Sequence, residues 1–234
     1  MTVCIAALSD SGKSAVLVTD KMLTLPGLSY QVEKPSYKKD YKVGDCYILI
    51  SGDTANAYEV VTLAQEKLKT FCKNSPMEKA DIKELIRQSY QEFRRKVVIQ
   101  RFIEPRGLDL ASYYSGRVGL PPQVVMEIEN NLQNYNINLE MIIVCKNSLG
   151  NYSLYYLTHP GELRCADPIG YISIGCGAIH SLYYLTGSDY SMDKSLNDVV
   201  KILKKAKEQA EKSPGVGRDT TLIRLEEKTE AQQC

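Results

Sequence analysis

Residues 46 to 57 read Cys46-Tyr-Ile-Leu-Ile-Ser51-Gly52-Asp-Thr54-Ala-Asn-Ala57, an apolar run rich in strand formers that stops at a glycine and changes at once to helical spacing. The run 46–51 is short and bounded, which predicts a buried strand rather than a helix. From Thr54 onward, Ala57, Val60, Val61, Ala64, Leu68 and Phe71 recur at the intervals of one helix face, and Asn74-Ser75-Pro76 predicts the stop. A strand therefore feeds a helix through a glycine turn.

Toward the N-terminus, residues 2–8 and 15–20 (Ala-Val-Leu-Val-Thr-Asp) are two apolar runs separated by Ser-Asp-Ser-Gly-Lys, the pattern of a hairpin whose first strand begins at the chain terminus. Toward the C-terminus, Asp81 with Glu84 three residues on forms a capping-box arrangement. The helix it opens carries Ile82, Leu85, Ile86, Phe93 and Val97 on one side and runs to about Glu104-Pro105. Strands are predicted at 139–145, 153–158 and 171–176, helices at 178–186 and 194–212, and a closing strand at 220–225. This order suits an α+β chain with two antiparallel sheets stacked face to face and helices on both outer sides. Residues 107–136, with Gly107, Gly116, Gly119 and Pro121-Pro122, interrupt the order and read as an insertion in a single domain spanning 1–234.

Composition narrows the function classes. Hydrophobic residues are 44% of the 234 and charged ones 24%, as in an ordinary globular protein. Lys and Arg number 29 against 28 Asp and Glu, so no overall field points to nucleic acid or to an anionic membrane. Met1 leads straight into Thr-Val-Cys-Ile-Ala-Ala without a basic leader, and no run approaches the ~20 apolar residues of a membrane span, so a cytoplasmic location is expected. The seven cysteines show no CxxC pair, which favours reduced thiols over disulfides or zinc. With His159 and His180 the only histidines, neither a metal centre nor a histidine-based triad is expected.

Chemistry converges on the first strand. A threonine hydroxyl is a poor nucleophile until a base takes its proton, and a free α-amino group, with a pKa near 8, is such a base. Thr2 meets that need once Met1 is removed, and a small residue at position two suits methionine aminopeptidases. Asp20 closes the second strand and can lie across the sheet from the terminus, or be a turn residue. Lys38, in Glu33-Lys34-Pro35-Ser36-Tyr37-Lys38-Lys39, can supply a cation that tunes the hydroxyl, or be one of several solvated lysines. Gly52 can offer its N–H to an oxyanion or be a plain strand-to-helix turn.

In order along the chain, Thr2, Val-Leu-Val-Thr-Asp-Lys at 16–21, Lys38 and Ile-Ser-Gly-Asp-Thr-Ala-Asn-Ala at 50–57 resemble the proteasome β-subunit and the HslV-type bacterial peptidases, a family of N-terminal-nucleophile (Ntn) hydrolases. The family spacing, fourteen residues back from Gly52, selects Lys38. Ile174-Gly175-Cys176-Gly177 resembles the family's Gly-Ser-Gly near the nucleophile, with Cys176 in place of serine, or else a buried structural thiol. The family's late Asp-x-x-Ser is not recognisable in Lys212-Ser213-Pro214-Gly215-Val216-Gly217.

The resemblance implies a four-layer αββα sandwich and a threonine-type peptidase without cofactor or metal. Thr2 is then nucleophile and amino base, Lys38 tunes it, Asp20 holds Lys38, Gly52 donates to the oxyanion and Cys176 supports the amine. Substrate-pocket positions fall on Leu23, Ser36, Ile50 and Thr54, which imply a preference for apolar side chains. Implied partners are a polypeptide or peptide substrate, further copies in a homo-oligomeric ring and an ATP-dependent unfoldase, with no nucleic acid and no membrane. Two alternatives share the fold: an amidohydrolase acting on a small amide, and a catalytically silent structural subunit.

Overall fold

The computed structural model describes residues 2–25, 30–74, 81–116 and 119–226. One sheet has the order β10-β1-β2-β11, built from β1 (Cys4–Ser9), β2 (Ser14–Asp20), β10 (Tyr171–Ile174) and β11 (Thr220–Leu225), all antiparallel. The second has the order β5-β6-β7-β8-β9, from β5 (Asp40–Val43), β6 (Cys46–Gly52), β7 (Leu139–Lys146), β8 (Tyr152–Thr158) and β9 (Glu162–Cys165). A separate ribbon pairs β3 (Met22–Leu25) with β4 (Tyr30–Glu33).

Side-chain alternation explains the layering. Val3, Ile5 and Ala7, with Val16 and Val18, face α5 (Ala178–Gly187) and α6 (Leu196–Ala210). Their neighbours Cys4, Ala6, Leu8, Ala15 and Leu17 face the other way, against Leu49, Ile142, Val144 and Leu154 of the second sheet. That sheet turns Ile48, Ile50, Met141 and Ile143 outward onto α1 (Thr54–Asn74) and α2 (Ile82–Val98). The result is helices, sheet, sheet, helices. Strands buried on both faces carry apolar residues at nearly every position, which is why 46–51 and 141–144 read as unbroken apolar runs.

The strand-to-helix junction forms as predicted: β6 ends at Gly52 and α1 opens at Thr54. The Asp81 side chain caps α2, accepting from the Glu84 N–H at 3.4 Å. The stop predicted at Asn74-Ser75-Pro76 coincides with the end of α1 at Asn74, while Ser75 and Pro76 lie outside the described residues. Beyond Val98 the chain continues through one π-helical and one 3-10 turn to Arg106. Residues 107–136 contain α3 (Leu110–Gly116) and α4 (Pro122–Asn134), which close over Ile103, Tyr113 and Ile128 as a small core of their own. The Arg94 guanidinium fastens the far end of α4 by donating to the carbonyls of Leu132, Gln133 and Tyr135.

The expectation of reduced thiols is corrected at one pair: Cys46 and Cys145 form a disulfide between β6 and β7. The register Tyr47↔Val144 places them opposite one another at the next step, with Cα atoms 4.4 Å apart, the close spacing of a non-hydrogen-bonded antiparallel pair. A separation of 99 residues in sequence hides this adjacency. Cys4, Cys72, Cys165 and Cys176 are free. No described helix is long and apolar enough to cross a membrane.

Candidate active site

The hairpin β1–β2 brings the chain terminus to Asp20. Cys4 pairs with Thr19, and one step further the Asp20 N–H donates to the Val3 carbonyl at 3.2 Å, so the Asp20 carboxylate lies beside Thr2. Asp20 has no solvent exposure and receives five donors. Its Oδ1 accepts from Thr2 Oγ1 at 2.9 Å, the Val3 N–H at 3.0 Å and Lys39 Nζ at 2.7 Å. Its Oδ2 accepts from the N–H groups of Met22 at 3.2 Å and Gly217 at 3.0 Å. A buried carboxylate is tolerated where, as here, a cation and several N–H groups satisfy its oxygens.

Lys39, 4% exposed, is the cation, and the choice of Lys38 is corrected. The strands β5 and β6 join through the two-residue turn Gly44-Asp45, with Gly44 at φ +58°, which sets Val43 opposite Cys46 and Asp40 opposite Leu49. One step on, the Ile50 N–H donates to the Lys39 carbonyl at 3.0 Å. Since alternate residues of an extended chain point to opposite sides, this register turns Lys39 inward and Lys38 to solvent. The same one-residue correction applies to the pocket: Ser36 is exposed, and Tyr37 takes its place.

That pocket is small, about 30 Å³, and its walls include Thr2, Leu23, Tyr37, Ile50 and Thr54, with Gly52 at its rim. Leu23, Ile50 and Thr54 line this pocket together with Thr2. Gly52 has φ +108°, and a Cβ there would lie 1.9 Å from the Asn138 carbonyl oxygen, so only glycine fits this turn.

On the other side of Thr2, the loop after β10 closes over its main chain. The Thr2 N–H donates to Cys176 Sγ at 3.2 Å, and the Gly177 N–H donates to the Thr2 carbonyl at 3.1 Å. Gly175, at φ +94°, comes so close that a Cβ would sit 2.4 Å from that same carbonyl oxygen. Cys176 is exposed rather than a buried thiol. Ser213, buried, donates to the Cys176 carbonyl at 3.2 Å and anchors this loop from the segment 212–217. Neither Ser213 nor the Gly217 N–H is marked by any local pattern, because Ser213 acts on Cys176, 37 residues away, and Gly217 on Asp20, 197 residues away. Removal of Met1 concerns a residue outside the described ones.

The site as built holds a hydroxyl, a nitrogen, a thiol, a carboxylate and an ammonium within one cluster. Among the described residues, no group of three or more His, Cys, Asp or Glu side chains is placed to hold a metal ion. A far larger open hollow of about 810 Å³ along α5 and α6, with His180 and Lys212 in its walls, shares none of these groups.

Among solved structures, the chain superposes on a mutant of Anbu (Gly-1) from Hyphomicrobium sp. strain MC1, with a TM-score of 0.65, over 97% of this chain and 82% of that one, at 17% identity. The chain shares the fold of that protein. The four-layer αββα arrangement expected from the sequence therefore stands. Membership of the proteasome β-subunit or HslV-type family, expected from the motifs, does not hold: no family model and no curated protein matches the chain, and the structural likeness is to Anbu at an identity that shows the fold alone.

Proposed function

We propose that this chain is a threonine-type hydrolase that cleaves peptide bonds with Thr2 as nucleophile once Met1 has been removed. One observation carries the reading: Thr2 Oγ1 and Lys39 Nζ meet on the same buried oxygen of Asp20. An ammonium held there favours the ionised hydroxyl, and Asp20 keeps that ammonium in place.

In this reading Thr2 Oγ attacks the scissile carbonyl carbon while its proton passes to the Thr2 α-amine, which Cys176 orients. The oxyanion is met by the Gly52 N–H. Collapse breaks the C–N bond, the proton moves from the α-ammonium to the leaving amine, and an ester on Thr2 remains. Water then hydrolyses the ester and restores the hydroxyl. Presence of Thr2, Asp20 and Lys39 together supports an active chain over a silent structural one.

The narrow pocket also favours a second reading, an amidohydrolase for a small amide, since fold does not fix the substrate. Exposed Ile179 and Tyr183 on α5 support assembly with further copies, which solution mass and electron microscopy test. For the nucleophile, a peptide epoxyketone should add one inhibitor mass to Thr2 of the purified protein and nothing to Thr2→Ala. A retained Met1, or equal labelling of both proteins, rejects it.

A further inference from the structure

The stacking of the two sheets gives the Thr2 site two different flanks. On one, the end of β2 reaches the residue before β5, where Asp20 meets Lys39. On the other, β10 lies beside β1 in the first sheet, and β7 and β8 follow β6 in the second. Ile174, the last residue of β10, packs in one cluster with Ile142 of β7 and Tyr156 of β8. The loop that leaves Ile174 carries Cys176 to the Thr2 nitrogen, so the Cys176 flank lies over the start of β7 and the end of β8.

Glu140 stands at that flank. It pairs with Ser51, which lines the Thr2 pocket next to Gly52, and cross-strand partners share one face of a sheet. Leu49 and Ile142, two residues along from this pair, turn the same face toward the first sheet. Glu140 is half-buried, and its Oε1 accepts from the Tyr156 hydroxyl at 2.6 Å. Burial holds that phenol above its ordinary pKa, so it remains a donor. Oε2 makes no hydrogen bond or ion pair among the described residues. Arg164, opposite Tyr156 on β9, is engaged by Glu162 through two bonds of 2.8 and 2.7 Å. The Glu140 carboxylate is therefore fixed in direction by a neutral donor and left without a cation.

We infer that Glu140 is a specificity-determining residue on the leaving-group side of the site, selecting a lysine or arginine side chain in the residue that follows the scissile bond. In the proposed acyl transfer the leaving amine takes its proton from the Thr2 α-ammonium, which Cys176 orients, so the departing residue lies on the Cys176 flank. A cationic side chain there supplies Oε2 with the donors it lacks, and hydrogen bonds between charged partners are about twice as strong as neutral ones. Tyr156 acts through Glu140 as a positioning residue. This deepens the reading of Thr2 as nucleophile and rests on it, and it concerns the opposite side of the scissile bond from Leu23, Ile50 and Thr54.

The test is a set of internally quenched peptides that differ only in the residue after the scissile bond, Lys, Arg, Leu or Glu. The peptide epoxyketone, which has no leaving residue, serves as the separate probe of Thr2. Wild type should cleave the Lys and Arg peptides with kcat/KM about fivefold or more above Leu, and further above Glu. Glu140→Gln should bring the Lys-to-Leu ratio to about one, and Glu140→Lys should invert the preference so that Glu exceeds Lys, which loss of a merely structural contact would not do. If Glu140→Lys does not fold, the wild-type profile and Glu140→Gln still decide. Equal cleavage of Lys and Leu by wild type, or an unchanged ratio in Glu140→Gln, overturns the inference, while epoxyketone labelling of Thr2 leaves the nucleophile standing. Absence of labelling and of all cleavage overturns both.

Discussion

Lys39 Nζ lies 2.7 Å from Asp20 Oδ1, with 4% of the lysine side chain and none of the aspartate reaching solvent. Removing either partner leaves an uncompensated charge in a dry site, which costs about 3–5 kcal/mol. Asp20→Ala is expected to lower unfolding stability by that amount in urea titrations and to abolish Thr2 labelling by the epoxyketone. Asp20→Asn keeps the shape and two acceptor lone pairs but not the charge, and should recover part of the stability without the labelling.

Lys38 and Lys39 are neighbours with opposite environments, and the contrast is a clean control. Lys38→Ala should change stability by no more than about 0.5 kcal/mol and leave hydrolysis at the wild-type rate. Lys39→Ala should remove hydrolysis, since no other ammonium reaches Asp20 among the described residues. Loss of activity in Lys38→Ala with retention in Lys39→Ala would reverse the assignment.

At Gly175 the main chain passes so near Thr2 that an added Cβ meets its carbonyl oxygen at 2.4 Å, and φ +94° disfavours any L side chain. Gly175→Ala should push Thr2 away from Asp20 and Cys176 without touching either. Epoxyketone labelling should slow by at least about 100-fold, as displacement of a reacting group by about 1 Å does. A variant that labels at the wild-type rate would show that the loop yields instead.

Much of this architecture is legible in the chain itself. The runs 2–8, 15–20, 46–51 and 139–145 are strands buried on both faces, so unbroken apolar stretches mark them, and the glycine between 46–51 and the helix marks the turn. What escapes is register. Choosing between Lys38 and Lys39, or between Ser36 and Tyr37, requires the pairing of β5 with β6, and β5 is too short and too polar to announce itself. The turn Gly44-Asp45 does carry the signal: pairs counted outward from it place Lys39 across from Ile50. Ser213 and the Gly217 N–H, by contrast, act through tertiary contacts that no local pattern encodes.

His159 carries a buried Nδ1 that makes no hydrogen bond among the described residues, and desolvation, aided by the Arg94 guanidinium, holds its pKa below the usual 6.5. A histidine whose folded pKa is depressed resists protonation in the native state, while the unfolded chain takes the proton readily. The stability it allows is fully present above the unfolded pKa and falls as pH drops from about 6.5 toward the lower folded value. Urea midpoints measured from pH 7.5 to 5 should decline for wild type, and His159→Gln should decline less steeply. Parallel curves would assign the fall to carboxylates alone.

The disulfide between Cys46 and Cys145 ties β6 to β7 beneath α1 and α2, a position where sheet pairing already holds the two strands together. Its contribution comes mainly from the unfolded chain, which it closes into a loop of 99 residues, and such bridges stabilise by about 2–4 kcal/mol. Cys46→Ala/Cys145→Ala should therefore lower stability by that amount while leaving the Thr2 site assembled, because the hydrogen bonds that join Thr2 and Lys39 to Asp20 involve neither sulfur. The measurements are the melting temperature with and without dithiothreitol, together with epoxyketone labelling below the transition. Wild type should melt lower when reduced, the double variant should be indifferent to the reductant, and both should label Thr2. If reduction abolishes labelling of a still-folded wild type, the bridge orders β6 up to Gly52 as well as the unfolded chain, and its effect reaches the rim of the pocket.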